Sequence, residues 1–187
     1  MSGRLMAVVL VLLMSAGVAR AGTLSISFSD LTAQLAFEQA VTEDAWGRSL
    51  VGVRGLYNDR KDVELVSAGL NVLGGIEGTG LELGAGVRGY YVDSDGDDIM
   101  SGGLGGLVRF VPPGFSKLSL SGSVFYCPKV LTALDGERLF ETEVKASFEI
   151  VPRANLFLTY TTIRAKIEDR EDRTLDDSLR GGLSLSF

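Results

Sequence analysis

The sequence predicts an all-β fold, an antiparallel up-and-down transmembrane β-barrel of ten strands, with eight strands as the alternative. Apolar and polar residues alternate over segments of about 11–13 residues, longer than globular strands of about 5–6 residues and close to the length of a tilted membrane strand. Short and long connections alternate between these segments, as in bacterial outer-membrane barrels. The chain also ends on an alternating segment that closes with Phe187.

Residues 1–21 have the pattern of a secretory signal peptide. Arg4 precedes a short apolar run, which falls below the about 20 residues of a transmembrane helix. The residues around the expected cleavage point are Ala19, Ala21 and Gly22. We therefore expect Sec-type export, a single outer-membrane β-barrel domain over residues 22–187, and a location in the outer membrane of a Gram-negative cell.

Ten segments follow the period of two that a strand requires. The predicted strands are 23–29, 31–41, 47–57, 63–74, 80–92, 99–111, 115–127, 139–151, 155–167 and 176–187. In the first pair the apolar phase shifts between Phe28 and Leu31, so Ser29-Asp30 forms either a tight turn or a β-bulge. Without this pair the barrel has eight strands.

The connections predict the orientation of the barrel. The tight turns at 112–114 and 152–155 are assigned to the periplasm, and the long connections at 128–138 and 168–177 to the outside. Aromatic residues near the strand ends are typical of girdles at the two membrane interfaces. They are Trp46, Phe110, Phe115 and Phe187 at the periplasmic end and Tyr57, Tyr91 and Tyr126 at the outer end.

Each strand is expected to turn its apolar face to lipid and its polar face to the lumen. Segment 140–150 has apolar residues and a threonine at even positions and charges and a serine at odd positions. Segment 155–167 is assigned with Phe157, Ile163, Ala165 and Ile167 toward lipid, opposite Arg164 and Lys166. The candidate lumen charges are Arg54, Glu82, Arg88, Arg109, Lys117, Glu141, Glu143, Lys145, Glu149, Arg164, Lys166 and Arg180.

These charges predict how the lumen is filled. Small barrels fill their interior with side chains, and buried charges need partners, so an ion-paired plug is expected. The alternative is a narrow, weakly anion-preferring pore for small solutes, because the predicted lumen cations outnumber the carboxylates.

The last eight residues resemble the assembly signal of bacterial outer-membrane barrels. The residues that carry this resemblance are Arg180, Gly182, Leu185 and the terminal Phe187. The resemblance implies that the barrel-assembly machinery recognises the chain during biogenesis.

The chain also resembles the YfaZ family of small Gram-negative outer-membrane proteins. Its landmarks are Phe125-Tyr126-Cys127-Pro128, the acidic stretch leading to Thr174-Leu175-Asp176, and the closing segment 182–187. Cys127 stands where a small residue is expected. The resemblance implies an outer-membrane barrel and supplies no activity or catalytic residues.

Composition argues against several classes of function. The chain has no His, the side chain that most often serves as general base near neutral pH. Loss of residues 1–21 would leave 16 basic and 24 acidic residues, a net charge of −8, which disfavours nucleic acid as a partner. A single Cys excludes an intramolecular disulfide. We expect no enzyme activity and no catalytic or cofactor-binding residues.

No metal site is expected either, because the acidic segment 93–98 departs from the calcium-loop pattern: Asp98 and Leu104 stand where that loop requires Gly and Glu. The sequence therefore predicts an integral outer-membrane barrel with a structural or surface role, in contact with outer-membrane lipid and lipopolysaccharide. A soluble periplasmic β-barrel that binds a small ligand is the remaining alternative.

Overall fold

In the described part of the chain, ten antiparallel strands close into a barrel, and an eleventh strand of three residues lies at one end. The computed structural model describes residues 22–43, 47–94, 97–134, 136–167 and 172–187. The strands are β1 Gly22–Phe28, β2 Thr32–Glu43, β3 Arg48–Asn58, β4 Val63–Ile76, β5 Leu81–Ser94, β6 Asp97–Phe110, β7 Leu118–Cys127, β8 Thr132–Leu134, β9 Gly136–Val151, β10 Ala154–Ile167 and β11 Asp172–Ser186. The ten-strand prediction is confirmed.

Closure comes from the pairing of the first strand with the last. The wall strands pair with their neighbours in chain order, with β7 next to β9, and β1 pairs with β11 from Thr23↔Ser186 to Phe28↔Gly181. The backbones of Gly22 and Phe187 exchange two hydrogen bonds of 3.0 and 2.9 Å. We call the end that holds these two residues the terminus end and the opposite end the loop end.

The outer surface is an apolar belt to which every wall strand contributes. Ten outward-facing aliphatic side chains, one from each wall strand, are 41–62 % exposed, a large apolar exposure for a folded chain. In chain order, they are Ile26, Val41, Val51, Leu70, Leu83, Leu104, Leu120, Val144, Leu158 and Leu183. The alternation in the sequence thus places apolar residues on the outside of the cylinder and not only in its core.

A short hairpin leaves a seam in the wall. β1 and β2 turn at Ser29, whose amide donates to Thr32 O at 2.9 Å, so the shift of apolar phase corresponds to a tight turn. Because β1 ends at Phe28, the loop-end part of β11, residues 172–180, pairs only with β10 among the described strands. On the edge of β11 that has no strand partner in the described part of the chain, Lys61 Nζ donates a hydrogen bond to Thr174 O at 2.9 Å.

The connection after β7 contains structure that the sequence analysis assigned to a loop. Residues Lys129–Leu131 form a 3-10 turn, and β8 then pairs with β6 from Ile99↔Leu134 to Ser101↔Thr132. β7 is short and reaches β6 only as far as Leu104↔Tyr126. β8 therefore supplies the wall beside β6 where β7 has ended. No helix among the described residues is long and apolar enough to cross a membrane.

The predicted faces of β10 are wrong. Phe157, Ile163 and Ala165 are at most 5 % exposed and point inward, whereas Arg164 is exposed on the outer side and Lys166 follows the same parity. The error has a physical cause. The inner face of this strand is itself apolar toward the loop end, so the apolar side does not identify the lipid side.

Candidate functional site: the barrel interior

The interior is divided into a packed loop-end half and an open terminus-end half. Twelve inward side chains of the loop-end half form a buried cluster. They are Leu56, Val63, Leu65, Tyr90, Val92, Ile99, Phe125, Cys127, Leu139, Ile163, Ala165 and Leu175. Each is at most 4 % exposed, so this half of the lumen is filled by side chains, as expected for a small barrel.

A charged cluster centred on Glu141 lies against this apolar core. The Glu141 carboxylate is fully buried and accepts from Arg54 Nη1 at 2.5 Å, Arg54 Nη2 at 3.0 Å and Arg88 Nη1 at 3.2 Å. Arg88 stacks over the Phe125 ring, with its guanidinium carbon 4.0 Å from the ring centroid. Bidentate pairing of this kind compensates the desolvation of the three charges.

A second buried cluster is centred on Arg180. Its guanidinium donates to Asp176 at 2.6 Å, Thr161 at 2.7 Å and Gln34 at 3.1 Å. Asn58 Nδ2 donates to the other Asp176 oxygen at 2.9 Å. The network joins β2, β3, β10 and β11 and closes the inside of the seam. Arg180, predicted as part of the assembly signal and as a lumen charge, lies fully buried in the interior.

The terminus-end half is a polar cavity of about 450 Å³, which we call the vestibule. Serines line its wall on β7, β9 and β11. They are Ser119, Ser121, Ser123, Ser147, Ser184 and Ser186. A smaller chamber of about 90 Å³ lies on the terminus-end side of the packed half. The residues that line both this chamber and the vestibule are Glu38, Asn71, Arg88, Glu143 and Lys145.

Two arginines share one carboxylate in the vestibule. Glu82 accepts from Arg48 Nη2 at 2.8 Å and from Arg109 Nη1 at 3.2 Å. All three side chains are about one third exposed, between 28 % and 35 %. Because water reaches these groups, the triad contributes little to stability and mainly sets the local charge.

The predicted lumen charges divide into three groups. The structure places the first group on the inner face: Arg54, Glu82, Arg88, Arg109, Glu141, Glu143, Lys145, Glu149 and Arg180. Arg164 and Lys166 are corrections, and Lys166 pairs with Glu137 at 3.1 Å at the loop end. Lys117 is a third correction, because it is exposed in the turn before β7. That turn continues to residue 117, so β7 begins three residues later than predicted.

Four inward charges of the described residues are absent from the predicted set. Asp176 lies in β11 and Arg48 begins β3, and Glu38 and Glu43 lie on β2 and line the vestibule. The alternation of each strand, followed over its full length, is the sequence signal that could have identified them. With these acids added and the three misplaced cations removed, the excess of lumen cations disappears, and with it the argument for anion preference.

Three outward tyrosines mark one level near the loop end. Their hydroxyls donate to aspartates at that end: Tyr57 to Asp59 at 3.1 Å, Tyr91 to Asp98 at 2.9 Å and Tyr160 to Asp177 at 2.5 Å. An aromatic ring on the apolar belt with its hydroxyl turned to a carboxylate suits a membrane–water interface.

Some predicted features lie outside the described residues. They are Ala19 and Ala21 at the expected cleavage point, Trp46, Asp95 and the segment 168–171. Gly22 is the first residue of β1. Within the described part of the chain, no group of three potential metal ligands is present. Cys127 is a free thiol, fully buried in the apolar cluster.

Comparisons with known proteins give distant structural similarity only. No family model matches the chain, and no curated protein matches it. The chain is similar to the KdgM porin in complex with disordered oligogalacturonate, with 9 % identity, 89 % of this chain and 99 % of that chain covered, and a TM-score of 0.49.

Two further similar structures are of longer chains, of which this chain covers about half. The outer-membrane channel DcaP of Acinetobacter baumannii has 11 % identity and a TM-score of 0.47, with 87 % of this chain and 54 % of that chain covered. OccK3 of Pseudomonas aeruginosa has 14 % identity and a TM-score of 0.45, with 89 % and 53 % covered. Similarity at these values carries no functional assignment, and membership in the YfaZ family stays a prediction.

Proposed function

We propose that this chain is an integral outer-membrane β-barrel with a structural or surface role, whose packed loop-end half prevents free passage of solutes. The observation that carries the proposal is the continuous apolar belt around all ten wall strands. In water such a surface would be exposed at a large cost in free energy, whereas lipid tails remove that cost.

The height of the belt agrees with a bilayer. On β5 the outward positions from Leu81 to Tyr91 are Leu, Leu, Ala, Val, Gly and Tyr. Ten residue steps at about 3.3 Å, with strands tilted by about 40°, span about 25 Å, the height of the apolar band of outer-membrane barrels. The tyrosine level then marks the loop-end interface, and the long connections are assigned to the outside.

The interior supports a closed rather than a conducting barrel. Between the vestibule and the loop end, the inward positions are occupied by the apolar cluster and by the Glu141 and Arg180 networks. A hydrated path past these buried groups would require several of them to move together. This packing supports the plug, and the narrow pore is the alternative that a conductance measurement distinguishes from it.

Membrane insertion is tested with the purified chain in two solvents. Heat-modifiable migration on SDS gels, acquired only in detergent or lipid vesicles, is the expected result. A folded, monodisperse protein in plain buffer would contradict membrane insertion and favour the soluble periplasmic alternative.

Conductance is tested in planar bilayers with the same preparation. We expect no steps above the leak level, because the packed half occupies the path. Reproducible steps would overturn the closed barrel and support the pore.

Contact with outer-membrane lipid and lipopolysaccharide, and recognition of the C-terminal segment by the assembly machinery, belong to the same proposal. Removing Phe187 in cells is expected to lower the amount of heat-modifiable barrel in the outer membrane. Refolding of the purified variant into vesicles serves as its control. Unchanged assembly in cells would contradict the role of this residue as a signal.

A further inference from the structure

Lys145 differs from the other cations of the barrel interior. Arg54, Arg88, Arg48, Arg109 and Arg180 each have a carboxylate within 3.2 Å. No described carboxylate lies within ion-pair distance of the Lys145 ammonium, whose nitrogen instead lies 4.0 Å from the centroid of the Phe157 ring. The interior thus holds one half-buried cation without an anion among the residues that the structure describes.

The ammonium keeps donors that the ring does not use. A ring face recovers only part of the free energy that a cation loses on leaving water. An ammonium has three N–H donors, and the Phe157 ring covers only one side of the group. Because Lys145 lines both the small chamber and the vestibule, its remaining donors have cavity space on the side away from the ring.

Hydroxyl groups surround this position. Ser121 lies directly across from Lys145 in the register of β7 and β9, and Ser147 and Ser123 line the same cavity. Hydroxyls both donate and accept hydrogen bonds, so they suit the hydroxyl groups of a ligand. A volume of about 450 Å³ is within the range of small-molecule sites.

Neighbouring carboxylates limit the charge of the ligand. Glu38 and Glu143 line the same chamber as Lys145. Glu143 is 3.8 Å from Arg54 and is only partly compensated. These groups would repel a di- or trianion, whereas a single negative charge at Lys145 is favourable.

We propose that the vestibule binds a small hydroxylated monocarboxylate, with the carboxylate on Lys145 and the hydroxyls on the surrounding serines. The ligand reaches the site from the terminus end, because the packed half closes the other side. This inference goes beyond the proposed function and holds in a detergent micelle, so it fails or stands independently of membrane insertion and conductance.

The test is isothermal titration calorimetry of the folded barrel in detergent, with gluconate as the probe and glucose as its neutral analogue. We expect gluconate to bind and glucose to bind at least about tenfold more weakly, since a charge-assisted hydrogen bond is lost. A third titration with inorganic phosphate distinguishes a carboxylate site from a general anion site. If phosphate binds as tightly as gluconate, the assignment to carboxylates is overturned.

Three variants locate the site. Lys145→Met keeps an unbranched side chain on Phe157 and is expected to weaken gluconate binding at least about tenfold. Ser147→Phe narrows the vestibule without changing its charge and is expected to weaken it as well. Lys129→Met removes an exposed lysine at the loop end and is the matched control, with unchanged affinity.

Folding of each variant is checked by heat-modifiable migration before titration. Absence of gluconate binding to the unmodified chain overturns the proposal. Equal affinities of the unmodified chain and Lys145→Met also overturn it.

Discussion

Replacing Glu141 by Gln tests whether the buried charged cluster stabilises the barrel. The substitution keeps the shape of the side chain and removes its charge. Arg54 and Arg88, whose side chains are only 9 % and 16 % exposed, would then lose the carboxylate that they share. The amide oxygen still accepts a hydrogen bond, but the amide nitrogen is a donor placed against donors.

The expected loss follows from the burial of the three groups. Removing one partner of a buried ion pair costs about 3–5 kcal/mol, because the remaining charge is left uncompensated. We expect about 3 kcal/mol, the lower end of that range, since Glu143 lies 3.8 Å from Arg54 and recovers part of the interaction.

Glu143→Gln is the matched control on the same strand and the same face. Its side chain is 25 % exposed and its contact with Arg54 is long, so we expect a loss below about 1 kcal/mol. Equilibrium unfolding in urea, with the barrel in detergent micelles, measures both values. Circular dichroism and heat-modifiable migration report the folded fraction.

A loss below about 1 kcal/mol for Glu141→Gln, or equal losses for the two variants, would show that the buried charged cluster does not stabilise the barrel. Arg54→Met alone and combined with Glu141→Gln completes a double-mutant cycle. A coupling energy near zero would show that the network fills space without contributing electrostatic stability.

Three further predictions concern the wall and the core. A Cβ at Gly182 would lie 2.4 Å from a backbone oxygen of β1, so Gly182→Ala should cost about 1–3 kcal/mol in urea unfolding, whereas Gly181→Ala, with its nearest atom at 3.8 Å, should be tolerated. Leu158→Lys on the belt should cost about 2–4 kcal/mol in vesicles, and Ser121→Lys in the vestibule much less; equal costs would contradict the assigned faces. Cys127 should react with maleimide only after unfolding, and fast labelling of the folded barrel would show that the packed half is open.

The wall of the barrel could be predicted because it depends on local pattern. A period of two over β5 or β9 determines both the strand and its faces, since a shift by one residue would exchange every side chain. The failure on β10 has the same origin. Where the interior is packed with Ile163 and Ala165, the inner face is apolar and the outer face carries Arg164. The alternation is present there, but the apolar side faces the interior instead of the lipid.

The partners inside the barrel could not be predicted, because they depend on the distance across the lumen. Strand order tells which strands are neighbours of β9, but Arg54 lies on β3, which is not one of them. The pair Arg54–Glu141 is 87 residues apart in the chain. Likewise, β8 pairs with β6 at a place that β7 does not reach. The residues 132–134 by themselves do not indicate this pairing.

The seam beside β11 has a kinetic consequence. Over Thr174 to Arg180 the cylinder is held on one flank by Lys61 and Asn58 rather than by a second ladder of amides. Local opening of this flank requires only a few side-chain hydrogen bonds to be replaced by hydrogen bonds to water, whereas opening elsewhere in the wall requires a ladder of backbone hydrogen bonds to break. The amide protons of residues 174–180 should exchange with deuterium before those of any other wall strand. This flank is then the place where the barrel wall first opens between strands.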